Sequence, residues 1–564
     1  MQKRLKKPFA VVASIAALGT VVTAGTMSTV FASSPIPKTP QTQVISGAKT
    51  TTPIKHVVVI FGENVSFDHY FGTYPHATNP PGEPKFTPAP NTPTVNGLSG
   101  ALLTQNPNLV NPQRLDRSDE NPPDNDHGYT AEQKAMDGGL MDQFVQATGN
   151  GNDTVMDYYD GNTVTAMWNY AQHFSLNDNS FGTNFGPSSP GAINLISGST
   201  HGDGAIAYSG NVDDPSAKPV ATISGALDQN QTLYSDKDPY FDKDSTGTTV
   251  EMTGNNIGDL LNAKNITWGW FEGGFRTNSE KHTAVNGATS TDYVPHHEPF
   301  QFYKSTANPE HLPPSSPSMI GKTDQANHQY DLTDFWTAAD SGNLPAVSFL
   351  KAPAYEDAHP GNSDPLDEQT FVTNTINQLE QLPTWSSTAV IINYDDSDGW
   401  YDHVMPPIIT QSDDPNADVL VGDPGKSSPH ALNYPDKLGY GPRLPLLVIS
   451  PYARQNFVDN TMTDQSSILK FIEDNWNLGT IGNESSDAFA GTLDNMFDFS
   501  HPTDGKLFLN PSTGEPESQG AAKQQFDSYV AKVYSDAGVT QPNTPTVPVP
   551  SKTPAPGKLG KILG

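Results

Sequence analysis

Two short acidic clusters stand where chemistry would be placed. Glu63 and Asn64 follow the apolar run Val57–Phe61 and the stop at Gly62. Asp395 and Asp396 follow a second apolar stretch, Thr388–Tyr394. Short, β-branched apolar runs of this kind read as strands buried on both faces, as in a parallel α/β sheet. In such sheets ligands bind beyond the carboxyl ends of the strands. If both strands join one sheet, three carboxylates and an amide oxygen converge on one edge. Packed like charges cost free energy unless a cation compensates them. The donors are all oxygen, which suits a hard or borderline divalent cation. There is no cysteine, so neither a disulfide nor a thiolate site is available.

A hydroxyl comes next. The stretch 187–198, PSSPGAINLISG, reads as a helix start with Ser188 as cap, Pro190 in the first turn and Ala192, Ile193, Leu195 and Ile196 as its apolar face. A hydroxyl there lies beside free backbone N–H groups and the positive dipole end, a place for a phosphate or a nucleophile. Four histidines are also candidates. His127 precedes a helix expected to be capped by Thr130 and to carry Ala131, Ala135, Leu140 and Phe144, with Gly138-Gly139 weakening it. His296 and His297 are adjacent, so they share a site only on irregular backbone. His359 follows the strand predicted over 343–350.

The elements that must position these groups alternate along the chain. After helix–turn–strand in 257–274 come the strand over 343–350, a helix over 366–382, the 388–394 strand, a strand over 444–450 and an amphipathic, Ser-capped helix over 466–476. The class is α/β, with a mostly parallel central sheet, helices on both faces and long loop insertions. One such insertion, 76–125, is rich in Pro and Asn. Another, 201–255, is polar and Asp-rich; it lacks an EF-hand spacing and reads as a solvated loop.

Charge narrows the partners. Acids outnumber bases 62 to 31. The first 32 residues hold four bases and no acid, so the remainder carries 27 bases against 62 acids. That argues against nucleic acid and against more than transient contact with a membrane surface. Residues 1–32 read as a signal peptide: a basic start, an apolar stretch, and Val30-Phe31-Ala32 as a cleavage site. The expected plan is a linker over 33–52, a catalytic domain over 53–480, a C-terminal extension over 481–540 packed on the core, and a Pro-rich flexible tail over 541–564. The expected location is outside the cell, with wall association open.

The blocks ENVSFDHYFG, DNDHGY, FGPSSPGAIN, IGDLLNAKNITWGWF, HHEPFQFY, YEDAHP, YDDSDGWYDHV and GPRLPLLVISPYA, in this order from Ile54 to Leu478, resemble the bacterial phosphoesterase family. That family comprises secreted phospholipases C and related acid phosphatases and looks like a branch of the alkaline phosphatase superfamily. The resemblance implies an alkaline-phosphatase-like core and a hydrolase of phosphoric esters or phospholipids. It implies one divalent metal at Glu63, Asn64, Ser188, Asp395 and Asp396, with Ser188 as nucleophile and His127, His296, His297 and His359 around the phosphate. Ser189 is the alternative nucleophile. The family often has Asn three residues after the nucleophile; here that position is Gly191, and Asn194 is the nearest substitute. A second reading, carried by the Pro-rich tail, is a non-catalytic secreted or wall-associated surface protein on the same fold.

Overall fold

The run after His56 forms the middle of the main sheet, and its side chains explain why. Val57, Val58 and Val59 are fully buried, and fully burying one such side chain contributes about 1.5–3 kcal/mol. The computed structural model describes residues 49–542 apart from 119–121, 221–225, 278–280, 284–286, 288, 413–417, 421–426 and 435. The expected signal peptide, nearly all of the linker and the tail beyond residue 542 lie outside the described residues.

Eight strands make the sheet: β1 (His56–Gly62), β2 (Ser175–Asn177), β3 (Trp268–Glu272), β4 (Gln329–Asp331), β5 (Val347–Lys351), β6 (Thr388–Tyr394), β7 (Leu446–Ile449) and β8 (Phe457–Asp459). Their order is β4-β3-β5-β1-β6-β7-β2-β8. Neighbours run parallel except that β7 is antiparallel to both β6 and β2. The fold is therefore mixed α/β with a large, mostly parallel sheet. β1 lies between β5 and β6, with Ile60 opposite Leu350 and Gly62 opposite Tyr394. Glu63, Lys351 and Asp395 thus leave three adjacent parallel strands at the same edge.

Six helices matter below: α1 (Tyr129–Met136), α2 (Ser188–Ser197), α3 (Leu332–Asp340), α4 (Pro365–Leu379), α5 (Ser466–Trp476) and α6 (Gln519–Asp536). Every residue of α2 is buried. α6 packs on α3 and α4, with the Phe526 ring 4.9 Å from that of Trp336. Among the described residues no helix is long and apolar enough to cross a membrane.

Several local expectations are corrected. α1 has Gly128 as cap, not Thr130, and it ends at Asp137 in left-handed conformation (φ 36). Gly138 (φ 62) and a single 3-10 turn follow, and Phe144 opens a separate short helix. The Gly pair breaks the periodic pattern rather than weakening it. Ser188 is the first residue of α2, and the cap position is Pro187, with no side-chain cap bond. Likewise α5 has Gln465 at the cap, and the Asp464 carboxylate accepts from the Ser467 amide instead. The 201–255 stretch is not a solvated loop. Ile206–Tyr208, Pro219–Val220, Asp238–Pro239 and Thr249–Glu251 form a small sheet. Asp242, fully buried, accepts from Gln301 Nε2 and pairs with His311 Nε2, both at 3.0 Å.

One buried ion cluster fixes the loops that leave β1 and β6. Arg443 is fully buried and donates to Asp68 Oδ1 (3.0 Å), Asp402 Oδ2 (3.1 Å) and the carbonyls of Asn96 and Asp178. Asp68 lies five residues beyond Glu63 and Asp402 six beyond Asp396, so one guanidinium ties both acid-bearing loops together. Removing one partner of such a buried pair costs about 3–5 kcal/mol, because the other charge is left uncompensated.

Candidate active site

Ser188 opens α2 with its hydroxyl aimed at carboxylates. Its Oγ donates toward Glu63 Oε2 at 3.2 Å and Asp396 Oδ2 at 3.1 Å. Ser189 is turned elsewhere: its Oγ lies 3.5 Å from the Lys237 carbonyl. α2 can come this close because of Gly191, where a β-carbon would sit 2.1 Å from the Asp395 carbonyl oxygen. The departure from the family's Asn at this position is therefore a packing requirement here. Asn194 is fully buried in the helix, and both its amide atoms lack a hydrogen-bond partner among the described residues. The first turn of α2 is not an open anion site, since the Ser189 amide already donates to Asp236 Oδ1 at 2.9 Å.

Asn64 sits in left-handed backbone (φ 59), a conformation Asn tolerates better than most residues. That turn sends its amide N–H to Asp395 Oδ1 at 3.0 Å and its Nδ2 to Asp398 Oδ1 at 2.9 Å. The carboxamide oxygen receives no hydrogen bond among the described residues. Gly62 permits the approach of Tyr394, whose ring would lie 2.6 Å from a β-carbon there.

Three of the histidines are shifted by their surroundings, in opposite directions. His127 Nδ1 donates to the Asn125 carbonyl at 2.8 Å and lies 3.3 Å from Asp398 Oδ1. Burial works against its charge, but Asp396 and Asp398 hold it well above the usual imidazole range. His296 is also raised: burial opposes the charge, and Asp238, with Nδ1···Oδ1 at 3.5 Å, outweighs it together with Asp236. His297 goes the other way, pushed well below the usual range by burial, then Lys351 and His296. It lies 3.5 Å from Glu63 Oε1. His359 is half-buried, with its backbone N–H on Asp357 Oδ1 and its ring centre 6.4 Å from that of His127. The chain thus brings Ser188, Glu63, Asn64, Asp395, Asp396 and the four histidines into one region.

Four residues of this region were not singled out from the sequence. Lys351 ends β5, is fully buried and pairs with Glu63 Oε1. Asp357 lies beside His297. Asp398 links Asn64 to His127. Glu132 on α1 accepts from the Gly186 amide at 2.8 Å and the Ser397 hydroxyl at 2.6 Å. It ties the approach to Ser188 to the Asp395-Asp396 loop, and burial pushes its carboxyl up to about 7. The only sequence signal for these four was proximity to a quoted motif. Their partners are far away along the chain.

The residues present fit a cation. Burial, then Asp395, push the Glu63 carboxyl well up, and burial with Asp395 does the same for Asp396. Asp395 itself is held below the usual range: burial opposes its charge, and Lys351, Glu63 and the Asn64 amide overcome it. Carboxyls raised in this way lack compensating positive charge, which a divalent ion would supply. Asn64 Oδ1 and Asp395 Oδ2 are buried oxygens that receive no hydrogen bond among the described residues. Such acceptors are costly unless a partner is supplied.

A family model described as the phosphoesterase family matches residues 54–479. The non-hemolytic phospholipase C of Pseudomonas aeruginosa is 24% identical over 88% of this chain and 65% of its own length. That of Burkholderia pseudomallei is 25% identical over 76% of this chain and 56% of its own length. Phospholipase C A of Mycobacterium tuberculosis is 24% identical over 89% of this chain and 90% of its own length. The chain spans less than two thirds of the length of the first two.

Proposed function

The chain belongs to the phosphoesterase family, and on that premise we propose that it is a secreted, metal-dependent hydrolase of phosphoric esters. Its substrates are phospholipids or soluble phosphate esters, and its nucleophile is Ser188, attacking phosphorus in line on an alkaline-phosphatase-like core. The carrying observation is the Ser188 hydroxyl between Glu63 Oε2 and Asp396 Oδ2 on the first turn of α2. Relatives named as phospholipases C support the substrate class.

Glu63, Asn64, Ser188, Asp395 and Asp396 would hold one divalent ion. When bound, the ion lowers the pKa of the Ser188 hydroxyl and draws charge from a phosphoryl oxygen. The chain's own groups do the rest. Ser188 Oγ forms the bond to phosphorus while its proton passes to a carboxylate beside it. The bond from phosphorus to the leaving oxygen breaks as that oxygen takes a proton from a charged histidine, His127 or His296. The other charged histidine neutralises phosphoryl oxygens, in a chain poor in Lys and Arg. His297, held neutral, orients Glu63. His359, with its ring centre 6.4 Å from that of His127, would add a further contact to the phosphate. Water then cleaves the phosphoserine.

Assays of p-nitrophenyl phosphate, p-nitrophenylphosphorylcholine and phosphatidylcholine vesicles, side by side, should show turnover of at least one. Turnover of none would return the chain to the non-catalytic surface-protein reading. Export is tested separately: protein recovered from the medium should begin near Ser33, and an intact Met1 would refute cleavage.

A further inference from the structure

Lys351 is placed where a cation is needed and a metal is not. It is the last residue of β5, fully buried, with its ammonium on Glu63 Oε1. The other oxygen of the same carboxylate, Oε2, faces Ser188. With a metal ion on the Oε2 side, as proposed above, Glu63 would stand between two cation positions, the arrangement used by two-metal phosphoryl-transfer centres. The side of Oε1 also has the donors of a metal site. Glu63, His297 and Asp357 each bring one ligand atom within 4.8 Å of the others. His297 Nδ1 stands 3.5 Å from Glu63 Oε1 and 3.9 Å from Asp357 Oδ2. All three residues are buried. Nitrogen and carboxylate oxygen together suit zinc or a similar ion.

We propose that the Lys351 ammonium occupies the second cation position of this centre, so that the protein works with one metal ion where its ligand set could hold two. The inference rests on the metal site proposed above, with Glu63 as the shared ligand. A strand-borne lysine gives a fixed single charge that needs no metal supply. It also leaves Glu63 Oε2 free to face Ser188. Lys351 directly follows Leu350, the partner of Ile60 in β1, so the ammonium meets the carboxylate at the ends of neighbouring strands. A lysine kept only for packing would not be expected to end on this carboxylate with His297 beside it and with the buried Asp357 Oδ2 receiving no hydrogen bond among the described residues.

The test is metal stoichiometry. Wild type, Lys351→Arg, Lys351→Ala and Lys351→Ser are equilibrated with zinc chloride, freed of excess metal and analysed for zinc per chain. Folding is followed by circular dichroism. Wild type and Lys351→Arg should hold one equivalent, and the Ala and Ser variants two. The second equivalent should raise the thermal midpoint of those two variants and leave wild type unchanged. One equivalent in all four proteins would overturn the inference and leave the single-metal reading standing. Two equivalents in wild type would also overturn it, since metal and lysine would then coexist. Zero in wild type would sink the metal reading itself. If the Ala and Ser variants fold only when zinc is added, the inference is supported. If they fold in neither condition, it is contradicted, because zinc should replace the missing charge.

Discussion

Replacing Ser188 with Ala should leave the fold intact and cut turnover by several orders of magnitude. Stability is spared because Ser188 is not the cap of α2; its hydroxyl serves the carboxylates, not a backbone amide. Turnover falls because the covalent route disappears. In a comparable nucleophile-and-base unit, loss of the nucleophile alone costs about a million-fold in kcat. Ser189→Ala should be mild, since that hydroxyl makes only long contacts to the Lys237 backbone, 3.5 Å to its carbonyl and 3.4 Å from its amide. Steady-state rates of the two variants on the best substrate of the panel decide the point. Near-normal rates for Ser188→Ala with Ser189→Ala inactive would move the nucleophile by one residue. Near-normal rates for both would mean that water attacks phosphorus directly.

Removing divalent metal should be the next most damaging change. Charge stabilisation by a bound ion is worth several kcal/mol at the transition state, or about a thousand-fold in rate. Stripping with chelator should abolish measurable turnover, and adding back one equivalent should restore it. Asp395→Asn tests the ligand set directly. It keeps the volume and removes the charge next to the orphaned Asn64 oxygen. Metal affinity should fall by more than the 10–100-fold that losing an outer-shell partner costs. Full activity in a preparation shown by elemental analysis to be metal-free would contradict the site.

What could be read from the sequence follows a physical division. The strands under Glu63 and Asp395 were legible because burial on both faces writes itself as an unbroken apolar run. β6 has the expected bounds, Thr388–Tyr394. The acids at their ends were legible because parallel strands put their carboxyl ends on one edge. α5 was legible from its apolar period, over Ser466–Trp476. Its cap, and that of α2, were not. A serine at a helix start reads as a cap unless carboxylates distant in sequence claim its hydroxyl, as Glu63 and Asp396 claim that of Ser188.

The same reason hid Lys351 and Glu132. Each is an ordinary polar residue until the fold supplies Glu63 for one and Gly186 with Ser397 for the other. The stretch 201–255 failed in the opposite sense. Its many acids suggested solvent, yet Asp242 is buried because Tyr293, Gln301 and His311 arrive from 50 to 70 residues later to pair with it. Composition records that an acid is present, not whether a partner will come to it. The family resemblance supplied the histidine assignments, and their surroundings then separated them: neighbouring carboxylates raise His127 and His296 above the usual imidazole range, and burial with Lys351 lowers His297.

The central claim is that Ser188 itself carries the phosphoryl group. Acid quenching during turnover, followed by peptide mapping in a mass spectrometer, tests it most directly. A phosphate should appear on the peptide containing Ser188, be located on that residue by fragmentation, and be absent from Ser188→Ala. An actively turning-over enzyme with no phosphorylated peptide at any quench time, or with the phosphate on Ser189, would contradict the account.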